Sequence, residues 1–228
     1  MDMSSFTPGS ALVTVILLAL APFFAVMVTS FTKIVVVLSL LRNALGLQQV
    51  PPNVVLNGLA LILTLYVMYP TMTDMSAAAG VTRSATMPGD EQPVQSLEGT
   101  DAIFATADRA KEPLRAFLLK HSDSRERAFF LGTQRRIGGP NRVSDVTDRD
   151  FIVIIPAFVV KELRIAFQIG FLIFLPFLVI DMVISNILLA MGMMMLSPVT
   201  ISLPFKILLF VLIDGWVKLS HGLVLSYA

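Results

Sequence analysis

The chain contains no cysteine, which excludes disulfides, thiol nucleophiles, iron–sulfur ligation and thiolate zinc sites. Its only histidines, His121 and His221, lie a hundred residues apart and form no paired metal-ligand motif. No glycine-rich phosphate loop, G-x-S-x-G elbow or H-E-x-x-H helix occurs, so the sequence gives no support for an enzyme, and neither metal nor cofactor is expected. Charge is scarce: 14% of the 228 residues are Asp, Glu, Lys or Arg, against about 25% in soluble domains. Lys and Arg total 17 and Asp and Glu total 16, for a net charge of +1, which gives no bulk attraction to nucleic acid.

What is abundant is hydrocarbon. Hydrophobic residues make up 55% of the chain, and the mean hydropathy is +0.79. So little polar surface cannot cover a water-facing globule of this size, which places the chain in a bilayer or deep inside a large assembly. High hydrophobicity also excludes disorder over most of its length. The charges are segregated. Residues 71–150 hold 11 of the 17 basic and 12 of the 16 acidic residues. This pattern predicts three parts: an N-terminal helical hairpin over 1–70, a polar extracytoplasmic domain over 71–150, and a C-terminal helical hairpin with a methionine-rich tip over 151–228.

The first apolar run, Ala11–Phe31, continues past Lys33 to Leu41. It is too long for one straight span of about 20 residues and is expected to bend near Pro22 or around Ser30–Lys33. Aspartate at position 2 and the lack of basic residues ahead of the run argue against a cleaved signal, and the run is read as retained. Gly46–Pro52 reads as a turn, and Val54–Tyr69 as a helix ended by Pro70. In the polar zone, residues 75–100 read as loop. A helical pattern then runs from Asp101 to Leu131, split into two by Pro113, and Gly138–Asn141 reads as a turn. The third run starts at Phe151, is interrupted by Asp181 and reaches Leu196. Ser197-Pro198 reverses the chain, and the fourth run is Val199–Val217. Kinks are expected at Pro176 and Pro204. Lys33 and Arg42 border the first connecting loop, which places that loop in the cytoplasm, with residues 71–150 outside.

Three constellations could carry function. Met191-Gly192-Met193-Met194-Met195 sits at the tip of the last hairpin. Methionine is flexible and polarisable, and several copies around an axis would form a deformable apolar plug; ordinary packing is the competing reading. The second is the set of isolated charges in apolar helices. Such groups need a partner or a polar cavity. Asp214 can pair with Lys218, four residues on. Asp181 and Lys206, counted from Ser197-Pro198 along straight helices, differ in height by about 12 Å, so they are expected to bind between subunits. The third is Lys161, Glu162 and Arg164 with Gln168, where boundary snorkelling competes with an interface ion pair through Glu162. Arg125, Arg127, Arg135 and Arg136 are interleaved with Asp123 and Glu126 and read as a solvated face.

Three blocks of sequence stand out together: Leu41-Arg42-Asn43-Ala44-Leu45-Gly46 with Pro51-Pro52-Asn53; Pro156-Ala157-Phe158, Glu162-Leu163 and Ala166–Phe171; and Leu175-Pro176-Phe177, Asp181, Met191–Met195 and Leu203-Pro204-Phe205-Lys206 through Asp214-Gly215-Trp216. They resemble the export-gate subunit of type III secretion systems, the SctR/FliP family, over both apolar zones. Ile184–Leu189 and His221-Gly222-Leu223 look more like the injectisome branch than the flagellar one. The resemblance implies an all-α, membrane-associated fold of two long kinked hairpins. Copies would assemble as a pentamer, in a ring or helical cone, with the small S and T subunits. This gate would sit in the bacterial inner-membrane complex, largely on the periplasmic side, among the larger export apparatus, inner-rod proteins and membrane lipid. It would pass unfolded secreted proteins. The family's gasket maps onto Met193, Met194 and Met195, and Asp181, Lys206, Glu162 and Lys33 are expected as intersubunit or buried charges. A secondary transporter or ion channel using Asp181 as its coupling site is the alternative, but no internal repeat supports it.

Overall fold

Long apolar stretches with few helix breakers fold as helices, because every backbone polar group is then satisfied within the segment. The computed structural model describes residues 15–16, 19–20, 22–23, 26–47, 49–80, 100–138, 146–193 and 195–228, with backbone alone for 100–107. All regular structure among the described residues is helical. In chain order the helices are α1 (Phe31–Ala44), α2 (Asn53–Ala78), α3 (Thr100–His121), α4 (Ser124–Gly138), α5 (Phe151–Ala190), α6 (Pro198–Leu212) and α7 (Gly215–Leu225).

α5 is the axis of the molecule. Its 40 residues span about 60 Å at 1.5 Å per residue, twice the roughly 30 Å of a bilayer's hydrocarbon core. α1 packs along it, burying Lys33, Ile34, Val37, Leu38, Leu41 and Ala44, which recur at helical spacing on one face. Gly170 makes this approach possible, since a Cβ there would lie 2.3 Å from Leu40 Cδ1. α1 ends in a Schellman motif: Gly46 has φ +78°, its N–H donates to Asn43 O, and the Leu47 N–H donates to Arg42 O. Left-handed backbone of this kind favours glycine. A core of Ile34, Val37, Leu38, Leu56, Ala60, Ala166 and Leu223 joins α1, α2, α5 and α7. A second, with Leu41, Leu45, Phe177 and Phe210, joins α1, α5 and α6. The polar segment shares a third core with the start of α5, built on Leu118, Ile154 and Phe158.

Several expected breaks fall elsewhere. The break in the first run is an exception: it comes at Thr29–Ser30, just before α1, at the start of the expected Ser30–Lys33 bend. Pro70 does not end α2, which continues to Ala78. Thr73 and Ser76 donate back to the carbonyls of Pro70 and Thr73 at 2.7 and 2.8 Å, so hydroxyls tie the last turns to their own helix. Residues 75–78, expected as loop, are therefore helical, and 81–99 lie outside the described residues. Pro113 does not split α3. The break comes at Ser122–Asp123, where Asp123 Oδ1 accepts the Arg125 N–H at 3.1 Å. Aspartate satisfies the free amides of a starting helix, which is a stronger boundary than one missing proline N–H. Asp181, Pro156 and Pro176 all lie inside the continuous α5. Gly138 closes α4, and Pro140-Asn141 fall outside the described residues.

The last run bends by 59° between α6 and α7. Asp214 stands at the bend with φ 52°, and it forms no ion pair with Lys218 among the described residues. The expected i,i+4 pairing required one continuous helix through both, and the break removes it. Gly215 packs under Phe210, whose Cε2 would lie 2.1 Å from an added Cβ. By length and composition, α2 and α5 could each cross a membrane, and the bent α6–α7 pair could form a third crossing.

Candidate functional site

Two ion pairs, one fully buried and one partly open, and one exposed loop distinguish this chain from a bundle of plain apolar helices. α5 supplies both acids, Glu162 and Asp181, some 28 Å apart along its axis. α1 and α6 supply the cations. Lys33 Nζ lies 3.3 Å from Glu162 Oε2, with both side chains 2% exposed. The Tyr227 hydroxyl donates to the same carboxylate oxygen, and the Lys33 ammonium sits 3.5 Å from the Tyr227 ring centroid. The pair thus combines charge, a hydrogen bond and a cation–π contact, as a desolvated pair requires if its geometry is to offset the loss of hydration. The ring of Tyr227 is in turn edge-on to His121 at 5.2 Å, and Phe117 packs against His121 at 4.7 Å. Burial, reinforced by Lys120, Lys161 and Lys33, pushes the His121 imidazole down to about 4, so it is neutral at pH 7.

The second pair corrects an expectation. Asp181 and Lys206 meet within one chain: Lys206 Nζ donates to Asp181 Oδ2 at 2.6 Å and to Ala44 O at 3.4 Å. Ser202 Oγ donates to Asp181 Oδ1, also at 2.6 Å. The expected height mismatch counted helical rise as far as Ser197. In fact α5 ends at Ala190 and α6 begins at Pro198, so the seven residues between add no rise. Asp181 lies nine residues before the end of α5 and Lys206 eight after the start of α6, which brings them to one level. Ser202, Lys206 and Phe210 are the buried residues of α6, at i, i+4 and i+8. Lys206 is 3% exposed but the Asp181 side chain is 32% exposed.

Glu162 is likewise engaged inside the chain. Its neighbour Arg164 donates from Nη2 to Asp123 Oδ2 at 3.0 Å, pinning the α3–α4 corner to α5. The Asp123 carboxyl is held below the usual carboxylate range by the Arg125 backbone N–H and then by Arg164. Of the arginine cluster, Arg125, Arg135 and Arg136 are exposed. Arg127 turns inward, donating to Ser122 Oγ at 2.7 Å and to Leu119 O.

The described residues of the methionine run lie past the end of α5, outside any helix. Gly192, with φ +74°, ends α5 in another Schellman motif, as the Met193 N–H donates to Leu188 O at 2.9 Å and the Gly192 N–H to Leu189 O. Met193 is 42% and Met195 100% exposed; Met194 lies outside the described residues. Among the described residues no group of His, Asp or Glu could hold a metal ion.

The sequence reading missed Tyr227 and Ser202, the neutral groups that complete the two pairs. A tyrosine after an apolar helix and a serine four residues before a lysine carry no signal beyond their types. Asp123, followed three residues later by Glu126, did carry one, since Asp-x-x-Glu marks a helix start.

A family model described as the FliP family matches residues 13–223. The chain is 50% identical over 212 residues to the Yop proteins translocation protein R of Yersinia pestis, covering 92% of each chain. It is 46% identical over 219 residues to the hypersensitivity response secretion protein HrcR of Ralstonia nicotianae, covering 96% of this chain and 97% of the relative. With the flagellar biosynthetic protein FliP of Bacillus subtilis, identity is 40% over 230 residues, covering 98% and 96%. A match that takes in α1–α6, most of α7, both ion pairs except Tyr227, and the methionine loop settles the kinship: the chain belongs to the FliP family.

Proposed function

We propose that the chain is a core subunit of a type III secretion export gate, of the injectisome kind, in the bacterial inner membrane. Copies assemble as a pentamer with the small S and T subunits, form a closed channel largely on the periplasmic side, and pass unfolded secreted proteins. The higher identity to Yersinia and Ralstonia relatives named for translocation and secretion than to the flagellar one favours the injectisome. The surface of α5 favours assembly: only 11% of its most apolar stretch is buried within the chain, and Phe167, Phe171, Leu172, Val179 and Met182 are exposed. A helix twice the thickness of the hydrocarbon core cannot cover all of that surface with lipid, so sister copies and partner subunits cover the remainder. In this reading residues 71–150 form the outer collar between the two helical hairpins.

The observation that carries the gate reading is the loop after α5. Gly192 stops the helix, and beyond it Met195 is fully exposed and Met193 partly so. Around a shared axis they would meet as a soft seal that a passing chain could push aside. The test replaces Met193–Met195 with alanine or glycine in the assembled complex and follows the leak of small solutes across vesicles. Leak from an intact complex is the expected result; an assembled variant as tight as the parent would remove the gasket. Coupled transport at Asp181 gains no support, since Lys206 and Ser202 already hold its carboxylate.

A further inference from the structure

The connection from α1 to α2 faces the α6–α7 break across an open apolar groove of about 470 Å³. Leu45, Val55, Leu59, Ile207, Val211 and Trp216 are among the residues that line it. An engineered apolar cavity of about 150 Å³ already holds benzene, so this groove has room for a much longer hydrocarbon. None of its lining side chains is charged. An inserted peptide would find almost nothing there to satisfy its backbone N–H and C=O groups, whereas an acyl chain brings no such groups.

One charge stands at the edge. Arg42, in the last turn of α1, donates from Nη1 to the carbonyl of the lining residue Pro51 at 3.5 Å and to Asn53 Oδ1. These bonds tether the guanidinium beside the groove. No carboxylate pairs with it among the described residues, and its Nε is buried without an acceptor. An uncompensated guanidinium next to an apolar slot complements a molecule with a phosphate at one end and hydrocarbon at the other. Trp216, exposed in the same wall, is a residue type that favours the membrane–water boundary.

We propose that this groove binds an acyl chain of an anionic phospholipid, with Arg42 at its edge holding the headgroup phosphate. The site requires only that the chain sits in a membrane, and it stands whether or not the methionine loop seals a channel.

The complex, purified in mild detergent with its natural partners, is incubated with mixed micelles of equal phosphatidylglycerol and phosphatidylcholine. Bound lipid is identified by crosslinking from a benzophenone amino acid at position 59, followed by mass spectrometry. The expected result is a lipid adduct that favours phosphatidylglycerol about fivefold, the contribution of one basic residue near an anionic headgroup. Val55→Trp and Val211→Trp fill the groove from opposite walls and should each abolish the adduct. Arg42→Gln should keep the adduct and lose the preference. Equal adduct yield in the parent and in whichever tryptophan variant assembles would overturn the proposal. So would a crosslink to a protein subunit, which would assign the groove to a subunit contact, or an unchanged preference in Arg42→Gln.

Discussion

The two halves of α5 treat their charges differently. Around Glu162 the chain is closed on itself: Lys33, Tyr227 and Phe158 are all buried, and the polar helices α3 and α4 pack over the outside. Around Asp181 it is open: one side of the carboxylate faces outward, and beyond it the apolar surface continues uncovered to Met195. Both halves carry an acid bound by a lysine from another helix, so the ion pair alone does not set the difference. What differs is the neighbourhood. The first pair has an aromatic lid that seals it within one chain, whereas the second has only Ser202 and the Ala44 carbonyl. A sealed pair serves the single chain's own fold. An open pair joins α5 to α6 and leaves its outer side exposed.

The largest effect should come from the sealed end. Glu162→Ala leaves the Lys33 ammonium buried without its counter-ion and should destabilise the purified protein by about 3–5 kcal/mol, read as a lowered thermal unfolding midpoint in detergent. Pairing Glu162→Leu with Lys33→Met should recover most of that loss, because a buried ion pair is often replaceable by apolar groups of similar volume. No recovery would mean that the pair itself, rather than the orphaned charge, sustains this end. Gly170→Ala forces α1 away from α5 at Leu40 and should cost about 1–3 kcal/mol by overpacking; an unchanged midpoint would show that Leu40 can move aside freely.

At the open end the same kind of truncation should matter less. Asp181→Ala leaves Lys206 with the Ala44 carbonyl and a nearer path to solvent, and about 1–3 kcal/mol is expected. A loss equal to that of Glu162→Ala would erase the contrast between the two ends. A further effect, absent at neutral pH, appears on acidification. His121 titrates near 6.5 when unfolded and is pushed to about 4 when folded. Between those values the unfolded chain binds more protons, so stability falls as the pH drops from 6.5 towards 4 and is unaffected by this group above 6.5. His121→Gln should flatten that slope between pH 7.5 and 5, measured as the shift in unfolding midpoint; an equal slope in the variant would point to another group.

The comparison also separates what could be read from residues from what could not. Helices over α1, α2, α5 and α6 follow from apolar runs, and a reversal before α6 follows from Ser197-Pro198, whereas the earlier stop at Gly192 does not. Boundaries set by proline alone were misplaced at Pro70 and Pro113, because a single missing N–H is outweighed by the hydrogen bonds on either side of it. The partner of Asp181 was misplaced for a related reason. Helical rise was counted past the end of α5 at Ala190, and that shifted the level at which two helices meet.

Composition and pattern by themselves determined that this chain is helical, apolar enough for a bilayer, and without thiols or a metal motif, because hydrophobicity and motif spacing are properties of residues in order; its likeness to the FliP family is carried by the same residues in order. Only the tertiary structure decided which lysine meets which acid, that Tyr227 closes one pair while the other stays open, and that Arg42 stands beside an apolar groove. Those facts depend on where helices end and how closely they approach, and a few ångströms of packing settle them among residues up to 194 positions apart, as Lys33 and Tyr227 are.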